Sequence, residues 1–387
     1  MNFASDNTAP VAPEVLAAIA EANHGRAASY GADPWTARLT AKLAEIFEHE
    51  VTVFPVATGT AANVLALSTL VRPYGAVICH DEAHIATDEA GAPEFYMGGA
   101  KLLTVPTADG LLPPEAIDHF MARADAMGVH HVMPEAVSIT HASEWGTIYS
   151  ADQLGTLGQT CRRYGLALHM DGARFANALV HGGQGAADIT WRAGVDALSF
   201  GGTKNGALAA EAVIFFDAAR AEGFARRRKR GGQLWSKQRY LSAQLLGLLD
   251  ADLWLTHARQ ANAMAARLAS GLAAIPGVQI AQAVQANEIF AVLPAAVVAR
   301  LQAAGAMFYD WIPAPATGQA TWRFVASFIT TAEEVDAAIA LARGHGAHPA
   351  RNTSQAGTAE DDALEAWLDS VEQGGGSPGE TRETPSP

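Results

Sequence analysis

Short β-rich segments alternate with helical segments over a large central part of the chain. Between residues 51 and 216 these segments are VTVFPVA, GAVICH, KLLTVP, VHHVMPEAVSIT, LALHMD, ALSFGG and AVIFF. Helical segments such as TAANVLALSTLV and SADQLGTLGQTCRRYG separate them. Strands that alternate with helices favour an α/β fold with a largely parallel sheet covered on both faces.

The pattern changes after residue 232. The stretch QLWSKQRYLSAQLLGLLDADLWLTHARQANAMAARLASGLAAI predicts a long helical bridge, and a small α+β lobe follows it. The last residues are polar, acidic and interrupted by Gly and Pro, which predicts disorder with at most a short helix at DDALEAWLDSVE. We therefore divide the chain into an extended N-terminal segment, a large domain, a small domain and a tail: residues 1–15, 16–250, 251–346 and 347–387.

Charge and cysteine content exclude several classes of protein. The formal net charge of −14 argues against a nucleic acid partner, because such binding depends on basic residues that neutralise phosphates. Cys79 and Cys161 are the two cysteines and lie in or beside apolar stretches, so we expect no disulfide and a cytoplasmic protein. We also expect neither a signal peptide nor a membrane span.

Two motifs place polar groups after predicted strands, where parallel sheets collect ligands. In ATGTAAN, the residues Thr58, Gly59 and Thr60 precede a helix and could either cap it or seat a phosphate. In LALHMDGAR, Asp171 follows an apolar strand. It could cap a helix, or it could keep a ring nitrogen protonated.

Two further motifs complete the pattern. Lys204 lies among small residues in LSFGGTKNG, as either a surface lysine or an amine that captures a carbonyl group. Arg323 interrupts an apolar strand in ATWRFVASF, for either a salt bridge or a substrate carboxylate. Together, a phosphate seat, an aspartate, a lysine and a distant arginine are what pyridoxal 5′-phosphate requires of an amino-acid enzyme.

The chain resembles the pyridoxal-phosphate-dependent low-specificity L-threonine aldolases of the β-eliminating lyase family. The motifs that carry the resemblance are SDN, ATGTAAN, DEAH, SITHASEWGTIYS, LHMDGARFANAL and LSFGGTKNG. The resemblance extends from FASDNTAP to RFVASF, which is nearly everything except the tail. It implies fold type I, with a mostly parallel seven-stranded sheet in the large domain and a smaller α+β C-terminal domain.

The resemblance also implies roles for individual residues toward the cofactor. Lys204 would bind the cofactor aldehyde, Asp171 would pair with the pyridine nitrogen, and His84 of DEAH would stack on the ring. Thr58, Gly59 and Thr60 would grip the phosphate.

Other implied roles concern the substrate and a second subunit. Ser5, Arg174 and Arg323 would bind the carboxylate, His141 would face the β-hydroxyl, and Tyr30 would belong to an early active-site loop. A neighbouring subunit in a homo-oligomer, either a dimer or a tetramer of dimers, would help to close the phosphate site with two basic residues, Arg230 and Lys237. The sequence departs from the threonine-oriented branch at Ser138, where that branch has glutamate.

The implied activity is that of an aldehyde-lyase. It would cleave L-β-hydroxy-α-amino acids such as threonine, allo-threonine and phenylserine to glycine and an aldehyde, with His141, His84 or a water as base. β-Elimination and amino-group transfer are alternatives, because lysine, aspartate and arginine serve all three reactions. Metal binding by HDEAH (80–84) and nucleic acid binding by Arg226–Arg230 are the remaining alternatives, and we expect neither.

Overall fold

Seven strands form the main sheet of the computed structural model, which describes residues 1–312 and 320–344. They are β1 (Thr52–Val56), β2 (Gly75–His80), β3 (Lys101–Val105), β4 (Met133–Thr140), β5 (Ala167–Gly172), β6 (Ala197–Gly201) and β7 (Glu211–Phe215). Their order is β1-β7-β6-β5-β4-β2-β3. The five strands from β6 to β3 are parallel, and β7 is antiparallel to both β6 and β1. The predicted α/β fold with a mostly parallel seven-stranded sheet is therefore confirmed.

Helices separate the strands along the chain, and others follow the main sheet. In chain order they are α1 (Pro13–Ala22), α2 (Pro34–Phe47), α3 (Gly59–Leu70), α4 (His84–Thr87), α5 (Ala92–Tyr96), α6 (Pro114–Met127), α7 (Ala151–Tyr164), α8 (Phe175–Gly182), α9 (Phe224–Arg230), α10 (Arg239–Leu249), α11 (Leu253–Ala273), α12 (Ala295–Ala303) and α13 (Ala332–Arg343). Strands β2 and β5 are buried along their whole length. Helix α3 is buried on all sides from residue 61 to 68, which suits its apolar sequence.

The predicted long helical bridge is interrupted. Asp250–Asp252 forms a short 3-10 turn between α10 and α11, and Ala251 and Asp252 have φ angles of 52° and 54°. Because two successive residues in the left-handed region cannot continue an α-helix, the prediction of one continuous stretch is wrong at this point. Helix α11 still packs against both α8 and α13.

A second, antiparallel sheet follows the main one. It consists of β8 (Gln279–Ile280), β9 (Glu288–Val292), β10 (Tyr309–Ile312) and β11 (Thr321–Val325), in the order β10-β11-β9-β8. Residues of the N-terminal segment attach to it, since the Val325 amide donates to the Phe3 carbonyl over 2.8 Å. The domain boundaries at 15, 250 and 346 stay predictions, and the predicted tail lies outside the described residues.

Two other features bear on the predictions from composition. Cys79 in β2 and Cys161 in α7 are buried, free thiols. Among the described residues, no helix combines the length and apolar character that crossing a membrane requires.

Candidate active site

A cavity of about 340 Å³ opens at the carboxyl ends of β4, β5 and β6, beside the start of α3. This volume lies in the range typical of cofactor and small-molecule sites. Seven residues singled out in the sequence line it: Thr58, Gly59, Thr60, His84, Asp171, Arg174 and Lys204. The main sheet therefore brings together side chains that are up to 146 residues apart in the chain (204 minus 58).

The first turn of α3 offers unbonded amides to the cavity. Thr58 caps the helix, because its Oγ1 accepts a hydrogen bond from the Ala61 amide over 3.1 Å. The amide of Ala62 makes the first intrahelical bond, to the Thr58 carbonyl, so the amides of Gly59 and Thr60 are left to a ligand or to water. A Cβ added at Gly59 would meet no heavy atom within 4 Å. The turn is thus both a helix cap and an open anion seat.

Lys204 lies in a tight 3-10 turn, Thr203–Asn205, directly after β6. Two glycines make the turn possible: a Cβ at Gly201 would lie 2.4 Å from the Ala173 carbonyl oxygen, and one at Gly202 would lie 2.4 Å from that of Ala210. The buried Glu211 carboxylate accepts a hydrogen bond from the Gly202 amide over 2.7 Å and so stabilises the turn. Lys204 is partly buried in the cavity wall, which is not the setting of a solvated surface lysine.

Asp171 is the second-last residue of β5 and is 5% exposed. Its Oδ1 accepts the Ala173 amide over 2.9 Å, and its Oδ2 accepts from the Asn63 side chain over 2.7 Å. It does not cap a helix, because α8 begins after Arg174 and has no side-chain cap. Asp171 therefore presents a buried, oriented carboxylate to the cavity.

His84 begins α4 and is paired with a buried glutamate that the sequence did not single out. Its Nδ1 lies 2.8 Å from Oε1 of Glu89, which also accepts from Asn63 over 2.9 Å. The hydrogen bond with Glu89 raises the pKa of His84, although burial opposes this effect. Asn63 thereby connects the His84–Glu89 pair with Asp171.

A second glutamate, Glu144, lines the cavity in the loop after β4. Its Oε1 accepts the His84 amide and the Thr140 hydroxyl, each over 2.8 Å. Burial raises the pKa of Glu144 to about 7. This residue lies within the motif SITHASEWGTIYS, and a glutamate in such a polar loop gives no sequence signal that it is buried.

His141 is not among the residues that line the cavity. Its side chain is 1% exposed and packs near Tyr149, with the ring centroids 6.0 Å apart. Because successive side chains of an extended segment point to opposite faces, Thr140 lines the cavity and His141 points into the interior. Burial lowers the pKa of His141 to about 4. Contact of His141 with the substrate hydroxyl stays an untested prediction.

Arg174 reaches the cavity but is already paired with acidic residues of the protein. Its Nε and one terminal nitrogen donate to the two oxygens of Asp6 over 2.8 and 3.0 Å, and Glu288 lies 3.3 Å away. Burial alone lowers the pKa of Arg174, but the attraction of Asp6 and Glu288 outweighs burial and raises it. Ser5, at the start of the same segment, accepts the Asn7 amide.

Arg323 lies outside the cavity wall, in β11, with a free donor. Its guanidinium lies over the ring of Trp311 at 4.7 Å, and its Nε is buried without a hydrogen-bond partner among the described residues. Burial lowers the pKa of Arg323, Glu288 raises it, and Arg174 lowers it. Among those residues it also makes no salt bridge, which leaves its fork available to a ligand.

The remaining predicted residues lie on the surface of this single chain, outside the cavity wall. Tyr30 is 50% exposed, with its amide bonded to the Ser236 carbonyl over 3.1 Å. Arg230 and Lys237 are also exposed. The basic run in α9 is not a continuous surface patch, because Arg228 turns inward and donates to the Pro55 carbonyl over 3.3 Å.

Comparison with known proteins places this geometry among enzymes. Residues 2–296 match the family described as β-eliminating lyase. The chain is 45% identical to the low specificity L-threonine aldolase of Pseudomonas aeruginosa over 334 residues, which cover 86% of this chain and 94% of that protein. It is 45% identical to the protein of the same name from another Pseudomonas species, over 85% of this chain and 93% of that one. A structure described as Leishmania major threonine aldolase matches with a TM-score of 0.83 and 29% identity, covering 89% of this chain and 98% of that one.

Proposed function

This chain belongs to the β-eliminating lyase family, and we propose that it is a pyridoxal-phosphate-dependent aldehyde-lyase of the L-threonine aldolase type. It cleaves L-β-hydroxy-α-amino acids to glycine and an aldehyde. The observation that carries the proposal is the convergence of Lys204, Asp171 and the first turn of α3 on one cavity, in a chain 45% identical to low specificity L-threonine aldolases.

The residues of the cavity fit pyridoxal phosphate. The amides of Gly59 and Thr60 and the hydroxyl of Thr58 are suited to the phosphate, since helix N-termini favour anions. The Asp171 carboxylate would accept the pyridine N–H, and the Lys204 amine would hold the aldehyde. When bound, the cofactor supplies a sink for the electron pair released at the substrate Cα.

Ser5, Arg174 and Arg323 form the set that binds the substrate carboxylate, and within it Arg323, whose charge interacts with that of Arg174 in the cavity wall, supplies the free donor. Its buried Nε has no partner among the described residues, whereas the fork of Arg174 is taken by Asp6. Asp6 holds Arg174 in the cavity wall, and Arg174 adds positive charge nearby. Fixing the carboxylate fixes rotation about the Cα–N bond, and thereby selects the bond that breaks.

The reaction is tested with an amino-acid panel. Incubation of the purified, cofactor-loaded protein with L-threonine, L-allo-threonine and L-phenylserine is expected to release glycine together with the matching aldehyde. Detection of both products in equal amounts is the measurement. Pyruvate or another oxo acid as the main product would instead favour β-elimination or amino-group transfer.

Replacing Arg323 with methionine is expected to raise KM for threonine about 10- to 100-fold, because a hydrogen bond to a charged group contributes about 1.5–3 kcal/mol. Steady-state kinetics on the panel measure this effect. Arg267→Gln is the matched control, because Arg267 pairs with Asp336 on the exposed side of α11. An unchanged KM in the Arg323 variant would remove this residue from the substrate site.

A homo-oligomer completes the proposal. The exposed Arg230 and Lys237 lie outside the cavity of their own chain and would reach the phosphate seat of a neighbouring subunit. The enzyme would act in the cytoplasm. A solution mass near 40.5 kDa, that of one chain, would contradict the shared site.

A further inference from the structure

We propose that Glu144 is a catalytic base of this site and takes the proton of the substrate β-hydroxyl when the Cα–Cβ bond breaks. The inference rests on the proposed aldol cleavage and names the group that drives it. Three observations support it: the position of Glu144 in the cavity wall, the unequal bonding of its two oxygens, and the arrangement of the two neighbouring histidines.

The two oxygens of Glu144 have different surroundings. Oε1 accepts two hydrogen bonds, from the backbone of His84 and the side chain of Thr140, and these fix the carboxylate in place. Oε2 is shielded from solvent and has no hydrogen-bond partner among the described residues. A buried carboxylate oxygen without a partner is costly unless a ligand satisfies it. A substrate hydroxyl in the cavity would supply that missing hydrogen bond.

The charges around Glu144 suit a base that works near neutral pH. The titratable and charged groups that interact with it come from several neighbouring segments: Cys79, His84, Tyr149, Asp171 and Arg174. Burial and, to a smaller extent, the charge of Asp171 raise the pKa of Glu144 to about 7, against the opposing effect of the two hydrogen bonds at Oε1. A general base is most effective when its pKa lies near the working pH.

The two histidines are less suitable as bases. His141 is outside the wall, and burial lowers its pKa to about 4. His84 lines the cavity, but its hydrogen bond with Glu89 raises its pKa, which increases the protonated fraction at neutral pH. A protonated imidazole cannot accept the hydroxyl proton.

The proposed step balances without a further reactant. The hydroxyl proton passes to Oε2 of Glu144, and the electron pair of the O–H bond forms the C=O bond of the aldehyde. The electron pair of the Cα–Cβ bond remains with Cα, and a proton from the site then forms the new C–H bond of glycine.

Glu144→Gln is the test. Glutamine preserves the volume, and its amide oxygen can keep both hydrogen bonds of Oε1, so the titratable oxygen is the only loss. We expect kcat for threonine to fall about 100-fold or more. In the parent enzyme we expect kcat/KM to rise with pH through about 7, as Glu144 loses its proton. This rise should be absent in the variant.

Cofactor absorbance provides a readout that does not depend on turnover. The Glu144→Gln variant should keep the visible band of the bound cofactor and the change in that band when glycine binds. Glu135→Gln is the matched control, because Glu135 lies in β4 and pairs with Arg72 at the surface. It should show parent kinetics.

Several results would overturn the inference. These are a Glu144→Gln rate within about threefold of the parent, a pH limb that persists in the variant, or loss of the cofactor band. A parent profile without a limb near pH 7 would overturn it even if the variant failed to fold. If the parent itself releases no glycine and aldehyde, the proposed function fails instead.

Discussion

Replacing Lys204 with alanine is expected to abolish the visible absorbance of the bound cofactor and to lower turnover of threonine by more than about 10³-fold. Loss of a residue that bonds covalently with the reacting system removes most of the catalysis, because the other groups act through it. Lys204 is the lysine among the residues that line the cavity. Absorbance spectra and kinetics of the purified variant measure both effects.

The control is Lys101→Ala, which removes an exposed amine from β3. It should retain both the band and the activity. A visible band that survives in the Lys204 variant would show that another amine holds the aldehyde, and the assignment of the cofactor site would fail. The thermal stability of both variants should be compared after removal of the cofactor, because bound cofactor itself stabilises the folded state.

The sequence predicts the strands of the main sheet because each is a short apolar run bounded by residues that favour turns. The sequence does not show the direction of β7, since the apolar run AVIFF has the same pattern in a parallel and in an antiparallel strand. The connection of residues 202–210 from β6 to β7 is too short for a crossover helix, and it therefore imposes antiparallel pairing. The sequence also does not show the break at Ala251 and Asp252. Alanine and aspartate are both common within helices, so neither residue type indicates an interruption.

The cofactor residues of the site follow from local patterns, whereas its acidic network does not. Thr58, Asp171 and Lys204 each lie at or just beyond the end of a strand, and a sequence shows this position clearly. Glu89 and Glu144 lie in polar loops, where a glutamate is normally solvated. Their burial depends on long-range contacts, such as the one that Asn63 makes with Asp171, 108 residues away.

The burial of His141 is likewise not visible in the sequence. Substrate contact by His141 stays a prediction. The sequence does not show which side chain faces the cavity, because a shift of one residue along an extended segment changes the face on which a side chain lies. Thr140 occupies the cavity face, and His141 is therefore buried.

Replacing Asp171 with asparagine is expected to leave the cofactor bound while kcat falls by about 10²- to 10³-fold. The carboxylate stabilises charge that develops on the ring nitrogen when a bond at Cα breaks, and loss of one such preorganised group has effects of this size. The visible band in the absence of substrate reports binding, and single-turnover kinetics with threonine report the chemical step.

The change also affects the protein itself. Asp171 accepts hydrogen bonds at both oxygens, from Ala173 and from Asn63. Asparagine has one acceptor oxygen, so its amide group would face one of these two donors, at a cost of about 1–3 kcal/mol in the free energy of unfolding. A lower kcat could therefore come from a displaced side chain rather than from the lost charge.

Asn63→Ala separates the two causes. It removes the hydrogen bond to Oδ2 of Asp171, together with the one to Glu89, and keeps the carboxylate, so it reproduces the loss of support without the loss of charge. We expect this variant to lose less than about tenfold in kcat, since the charged carboxylate opposite the ring nitrogen stays in place. If Asn63→Ala and Asp171→Asn reduce kcat equally, orientation alone explains the effect. If only Asp171→Asn has the large effect, the negative charge opposite the ring nitrogen is what the reaction requires.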